Sequence, residues 1–228
     1  MTRRRYLLAA AATTGTALLG ASLAAPRDSR AFYGLTTATA ATWVVSARAA
    51  GPVPRGSTQL LAPVLTGAGA FGVFYVGALV ARRIPPLRRA LKAVLGYAGG
   101  SGPLVLAVTL GSGAAEEVFF RGALYDALPD GTKLQQSTAA YVLVTAATGN
   151  PALVAAAAGM GTLWGWQRRR SGGIQAPLLT HLTWSALMLH FLPPLFYDRQ
   201  GEGQPAVDSP VTKSVRAASN LSTSAPST

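Results

Sequence analysis

Long apolar runs, separated by short polar or Pro/Gly-containing breaks, fill the chain up to residue 196. Tyr6–Ala25 is an apolar run that follows Arg3-Arg4-Arg5, and Ala31–Ala49 is a second, diluted by threonine. Ser57–Val80 is a third and more uniformly apolar run. Arg82 and Arg83 then precede Pro85-Pro86, a step that ends one helix and starts another. Leu87–Val94 is predicted as a short basic amphipathic helix lying at a membrane surface. Gly102–Leu128 is the next span, stopped by the turn signal Pro129-Asp130-Gly131. Ser137–Thr148 and Ala152–Trp166 flank Gly149-Asn150-Pro151, which predicts two short helices or one broken one. Gln167–Gly173 reads as a basic loop, and Ile174–Phe196 as the last apolar helix, closed by Pro193-Pro194. Asp198–Thr228 is polar, rich in Ser and Pro, and without hydrophobic period, which predicts a disordered tail.

The pattern predicts an all-α, polytopic transmembrane bundle of roughly six to eight helices. It divides into an N-terminal span or signal-like segment over 1–30, accessory transmembrane helices over 31–86, a helical core over 87–196 and the tail over 197–228. Thr2-Arg3-Arg4-Arg5-Tyr6-Leu7 loosely resembles a twin-arginine signal, with small residues around Ala24. The rest of the chain is membranous, so a retained first span is the expectation. Topology does not close on the positive-inside rule. With Arg3–Arg5 in the cytoplasm, three full spans leave the basic segment 82–92 outside, so one early segment is expected to be cleaved, interfacial or re-entrant.

Composition supports the membrane reading. Half of the 228 residues are hydrophobic and only 12% are charged, against about 25% in soluble domains. The absence of cysteine removes disulfides, thiolate nucleophiles and Cys-based metal sites. The formal charge of +12 sits in short clusters beside apolar segments, such as Arg168–Arg170. That is the distribution expected beside a lipid bilayer, and no basic face interleaved with aromatics points to nucleic acid.

One run changes the picture. Between Asp28 and Asp126 the only acidic residues are Glu116 and Glu117, inside the apolar span Gly102–Leu128. A charge at the bilayer centre costs roughly 2.5–3.5 kcal/mol on insertion scales, so intramembrane ionisable groups are functional candidates. Glu117 and Arg121 are four residues apart and share a helix face, an arrangement for a structural ion pair. Glu116 points about 100° away, which leaves it as a carboxylate available as a base toward water. The competing reading puts both glutamates at the membrane surface, balancing nearby arginines. On the last helix His181, Trp184 and Ser185 form one polar stripe, while His190 lies about 180° around the helix and is expected at the interface. His181 alone is equally a core histidine or a catalytic one. No HExxH pair, Ser-His-Asp set or phosphate loop is present. Glu116, Glu117 and His181 are the only intramembrane candidates for a divalent metal such as zinc, which normally takes three protein ligands. They give it thin support, and the cofactor is unknown.

Glu116-Glu117-x-x-x-Arg121 followed by His181-x-x-x-Ser185 resembles the CPBP family, the intramembrane CAAX-prenyl-endopeptidase, abortive-infection (Abi) and bacteriocin-processing proteases. The resemblance covers about Leu87 to Pro194, and the general look is actinobacterial. It implies a glutamate-dependent endopeptidase, of metalloprotease class, acting on membrane-associated peptides or proteins in a bacterial plasma membrane. It implies Glu116 as the base, Glu117 as the second motif glutamate, Arg121 as the residue that orders the helix, and His181 with Ser185 at the oxyanion. Two positions depart from the family pattern. Ser185 stands for the asparagine of the late HxxxN motif, and Thr145 stands for the histidine of FxxxH, in Tyr141-Val142-Leu143-Val144-Thr145. Threonine is neither a base nor a good metal ligand at neutral pH. A catalytically degenerate membrane scaffold is therefore the alternative, and a small transporter a more distant one.

Overall fold

The computed structural model describes residues 3–98 and 102–197. The tail expected from residue 198 onward lies outside the described residues. Among the described residues eight helices follow one another: α1 (Arg3–Ala24), α2 (Arg30–Ala50), α3 (Leu61–Ala81), α4 (Pro85–Leu95), α5 (Gly102–Ala127), α6 (Lys133–Ala146), α7 (Pro151–Ser171) and α8 (Gln175–Phe191). A 3-10 turn, Pro193–Leu195, closes the series, and no strand occurs among the described residues. The all-α class read from the hydrophobic pattern is the observed one.

The helix ends have local causes. Ser29 starts α2 by accepting a hydrogen bond from the Phe32 amide on its hydroxyl oxygen, at 3.1 Å. Asn150 caps α7 by accepting from the amides of Ala152 and Leu153, and Pro151 occupies the first turn, where it removes no needed donor. Gly149-Asn150-Pro151 therefore separates two helices rather than kinking one. α7 continues five residues beyond Trp166 and stops at Gly172, whose φ of 74° suits glycine. Gln167–Ser171 is thus helix, not loop. The arginines are good helix formers and favourable at a helix C-terminus. α6 starts earlier than the apolar pattern indicates, at Lys133, and α8 stops at Phe191. In the turn between α5 and α6, the Lys133 ammonium donates to Asp130 and holds its carboxyl below the usual value.

Long-range hydrogen bonds show which helix ends share a side. Arg4 and Arg5 at the start of α1 donate to the carbonyls of Ala123 and Ala127 at the end of α5, both at 3.2 Å. The turn between α7 and α8 pairs with the segment before α3, through Ile174 to Pro54 and Gln175 to Arg55. At the other end, Tyr97 donates to the Leu23 carbonyl at 2.6 Å and Asn150 to that of Ala90 at 2.9 Å. α1, α2 and α3 are continuous helices of 22, 21 and 21 residues. The basic segment around α4 therefore lies at the end opposite Arg3–Arg5. Both ends of the bundle carry clustered arginines, which is why the charge rule does not orient it.

Arg3–Ala24, Leu61–Ala81 and Gly102–Ala127 are long and apolar enough to cross a membrane. The α3 residues Leu61, Val73 and Val76 are exposed, as a lipid-facing helix requires. Inside, Trp43 of α2 lies against Phe119 and Phe120 of α5, with ring centroids 4.5 and 5.3 Å away, and Leu8 of α1 joins them in the core. Gly15 lets α1 come this close, because a Cβ there would overlap the Trp43 indole. This packing fixes α5 within the bundle and holds its glutamates at a set depth.

Candidate active site

α5 changes its winding at the glutamates. Gly102–Glu116 is α-helical, and Glu117–Leu124 is a π-helical stretch. The i→i+5 pattern is rare, occurs mostly in short pieces and is frequent at functional sites. Neighbouring helices bond to its carbonyls from outside. Ser137 of α6 donates to the Phe120 carbonyl at 2.7 Å, and Arg168 of α7 donates through Nε to that of Arg121 at 2.7 Å. Arg168 also reaches Asp126 at 2.7 Å, so one guanidinium ties α7 to two points near the end of α5.

Glu117 and Arg121 are both fully buried, with Oε1 and Nη1 3.4 Å apart. Arg121 donates also to the Gly161 carbonyl of α7 at 3.2 Å, and its guanidinium lies 4.5 Å from the Tyr141 ring centroid and 5.2 Å from that of Trp164. Gly161 permits this approach, since a Cβ there would stand 3.2 Å from Nη2 of Arg121. The same Glu117 oxygen lies 3.0 Å from Nδ1 of His181 on α8. A carboxylate only accepts, so Nδ1 carries the hydrogen of this contact. The His181 ring stacks on Trp164 at 3.7 Å with an interplanar angle of 18°. Its other nitrogen, Nε2, lies over Gly113, where an added Cβ would stand 3.2 Å away.

Glu116 has a different setting. Its Oε2 accepts a hydrogen bond from the Tyr141 hydroxyl at 2.8 Å. It lines a cavity of about 300 Å³, together with Tyr141, Thr145, His181 and Ser185. Leu23, Leu95 and Tyr97 also line it, so the space reaches toward the α4 end of the bundle. Glu117 and Arg121 are not on its wall. The structure thus brings Glu116, His181 and Ser185 to one cavity and leaves Glu117 behind it, joined to Arg121 and His181. His190 is exposed at the end of α8, beside Phe191 at 4.6 Å, and away from this group. Thr145 donates to the Tyr141 carbonyl one turn back at 2.8 Å.

A metal is poorly accommodated. Among the described residues no group of three or more His, Cys, Asp or Glu is placed to hold one. Glu117 and His181 face each other at hydrogen-bond distance, rather than converging with Glu116 on a common point. The residues present do not fit a three-ligand zinc site.

Two contributors escape sequence reasoning. Tyr141 is legible only as the start of a degenerate motif, and nothing in the sequence joins its hydroxyl to a glutamate 25 positions earlier. Arg168 reads as one of three loop arginines, yet it alone of the three is buried.

A comparison with protein-family models matches residues 99–187 to the Rce1-like family, described as type II CAAX prenyl endopeptidase Rce1-like. The matched segment contains Glu116, Glu117, Arg121, Tyr141, Thr145, His181 and Ser185. No curated protein and no solved structure gives a significant match.

Proposed function

We propose, from the premise that residues 99–187 belong to the CPBP family of CAAX-type intramembrane proteases, that this chain is a glutamate-dependent endopeptidase. Its substrates on this reading are membrane-associated peptides or proteins, and its setting is a bacterial plasma membrane that it crosses several times. The observation that carries the reading is the separation of the two glutamates. Glu116 lies on the cavity wall with His181 and Ser185, while Glu117 is buried behind it.

Glu116 is the general base in this mechanism. It takes a proton from water, whose oxygen attacks the carbonyl carbon of the scissile amide. In its protonated form His181 donates through Nε2 to the developing oxyanion while Nδ1 stays on Glu117. Ser185 supplies a second donor through its hydroxyl. Collapse of the tetrahedral intermediate re-forms the carbonyl and breaks the C–N bond, and Glu116 returns its proton to the leaving amine. Burial within the bundle lowers the local dielectric, which strengthens such donors relative to solution. No step is routed through a metal. The apolar lining toward α4 suits an apolar segment of substrate.

The test is cleavage of membrane-tethered peptides by the full chain in liposomes. Glu116→Ala should abolish cleavage, and unchanged cleavage by this variant would overturn the mechanism. A second reading, a catalytically degenerate scaffold, is favoured by one observation. Thr145 lines the cavity, and its hydroxyl is committed to the Tyr141 carbonyl. A native chain that cleaves removes that reading.

A further inference from the structure

We propose that Tyr141 is the positioning residue for Glu116, holding one carboxylate oxygen so that the other is presented to the cavity; this rests on the peptidase reading above. Glu116 projects from α5 into a largely apolar space, and among the described residues its one side-chain hydrogen bond is the 2.8 Å contact from the Tyr141 hydroxyl. A carboxylate's terminal torsion is broad and roughly two-fold, so an untethered Glu116 would sample many orientations. A general base has to stand within hydrogen-bond reach of the proton it removes. The hydroxyl settles this by occupying Oε2, which leaves Oε1 as the atom for water.

The tether is itself rigid. The Arg121 guanidinium lies over the Tyr141 ring at 4.5 Å, and Phe120 packs edge-on at 5.1 Å. Trp164 approaches at 6.0 Å, and Thr145 bonds back to the Tyr141 carbonyl at 2.8 Å. Neighbours from α5 and α7 therefore fix the ring, and the ring fixes the hydroxyl. Arg121 contributes to both glutamates in this arrangement. It pairs with Glu117 directly and orders Glu116 through the Tyr141 ring.

Tyr141→Phe removes the hydroxyl and keeps the ring, so the bundle should still fold, with only a small fall in the thermal unfolding midpoint from the lost hydrogen bond. In liposomes, cleavage of a membrane-tethered peptide should lose roughly 10- to 100-fold in kcat, the scale of a misplaced reacting group, with KM unchanged. Glu116→Asp withdraws the carboxylate from Tyr141 and retains a weaker base. In that background Tyr141→Phe should cost nothing further, because its effect runs through Glu116. Isotope-edited infrared difference spectra, native chain against Glu116→Gln, isolate the Glu116 carboxylate stretch and need no turnover. Tyr141→Phe should shift and broaden that band. An unmoved band overturns the proposal, as does a moved band with native kcat, or a full additional loss in the Glu116→Asp background. If the native chain cleaves nothing, the peptidase reading fails and the catalytic use of the contact fails with it. The infrared band still reports separately whether Tyr141 holds Glu116.

Discussion

Nδ1 of His181 lies 3.0 Å from Oε1 of Glu117, across 64 positions of sequence. The contact joins α8 to the point on α5 where α-helical winding becomes π-helical. Glu117 sits between two basic groups, since Arg121 reaches the same oxygen at 3.4 Å. It holds the imidazole with Nδ1 turned toward α5, so Nε2 is the ring nitrogen that faces Gly113. Glu117 therefore ties Arg121 and α8 to one point without reaching the cavity itself.

Removing Glu117 should unfold the site rather than merely slow it. Breaking a buried ion pair by deleting one partner costs about 3–5 kcal/mol, because the other charge is left uncompensated. Glu117→Ala and Arg121→Ala are each expected to lose stability on that scale, read by denaturation in detergent micelles. Arg121→Lys should not restore it, since a single ammonium cannot bond Gly161 and Glu117 while lying flat over Tyr141. A native unfolding midpoint for Glu117→Ala would show that the ion pair is dispensable to the bundle.

Ser185 tests the other side of the cavity. Ser185→Ala changes one buried oxygen, and the helix it sits on keeps its packing. Loss of one oxyanion donor costs on the order of 100-fold in kcat. That drop, without a change in stability, is the expected outcome in the liposome cleavage assay. Native turnover by Ser185→Ala would remove this residue from the oxyanion site.

The sequence discloses the helices because lipid and helix-breaking residues leave a one-dimensional record. Apolar runs mark the spans, and Pro85, Gly131, Pro151 and Gly172 punctuate them. It places Glu117 and Arg121 on one helix face because that relationship is local. It does not disclose the hydroxyl on Glu116 or the imidazole on Glu117, which depend on how α6 and α8 lie against α5. The π winding is hidden for the same reason. Ser137 and Arg168, the donors to its carbonyls, stand 17 and 47 positions away from their acceptors.

Arg168 should matter far more than its two neighbours. Arg168→Ala leaves the Arg121 carbonyl and the Asp126 carboxylate without this partner, and an unsatisfied buried polar group costs about 1–3 kcal/mol. Arg169→Ala and Arg170→Ala remove exposed side chains and should stay within about 0.5 kcal/mol of native. Denaturation of the three variants side by side checks the ranking. Equal effects would mean that the charge of the α7 terminus matters and the individual contact does not.

Two glycines on one helix offer a sharper geometric test. A Cβ at Gly113 would stand 3.2 Å from Nε2 of His181 and 3.4 Å from two ring carbons, whereas a Cβ at Gly111 would meet nothing within 4 Å. The imidazole cannot retreat easily, because Trp164 is stacked on its face at 3.7 Å and Glu117 holds Nδ1. Gly113→Ala should therefore displace the ring by a few tenths of an ångström. Because misplacement of a reacting group by about 1 Å costs about 100-fold, a smaller loss of roughly tenfold in kcat is expected. Both alanines favour the helix by up to about 1 kcal/mol over glycine, so Gly111→Ala should leave kcat unchanged and raise stability slightly. Equal activity in the two variants would place the working surface of the site away from Nε2 of His181.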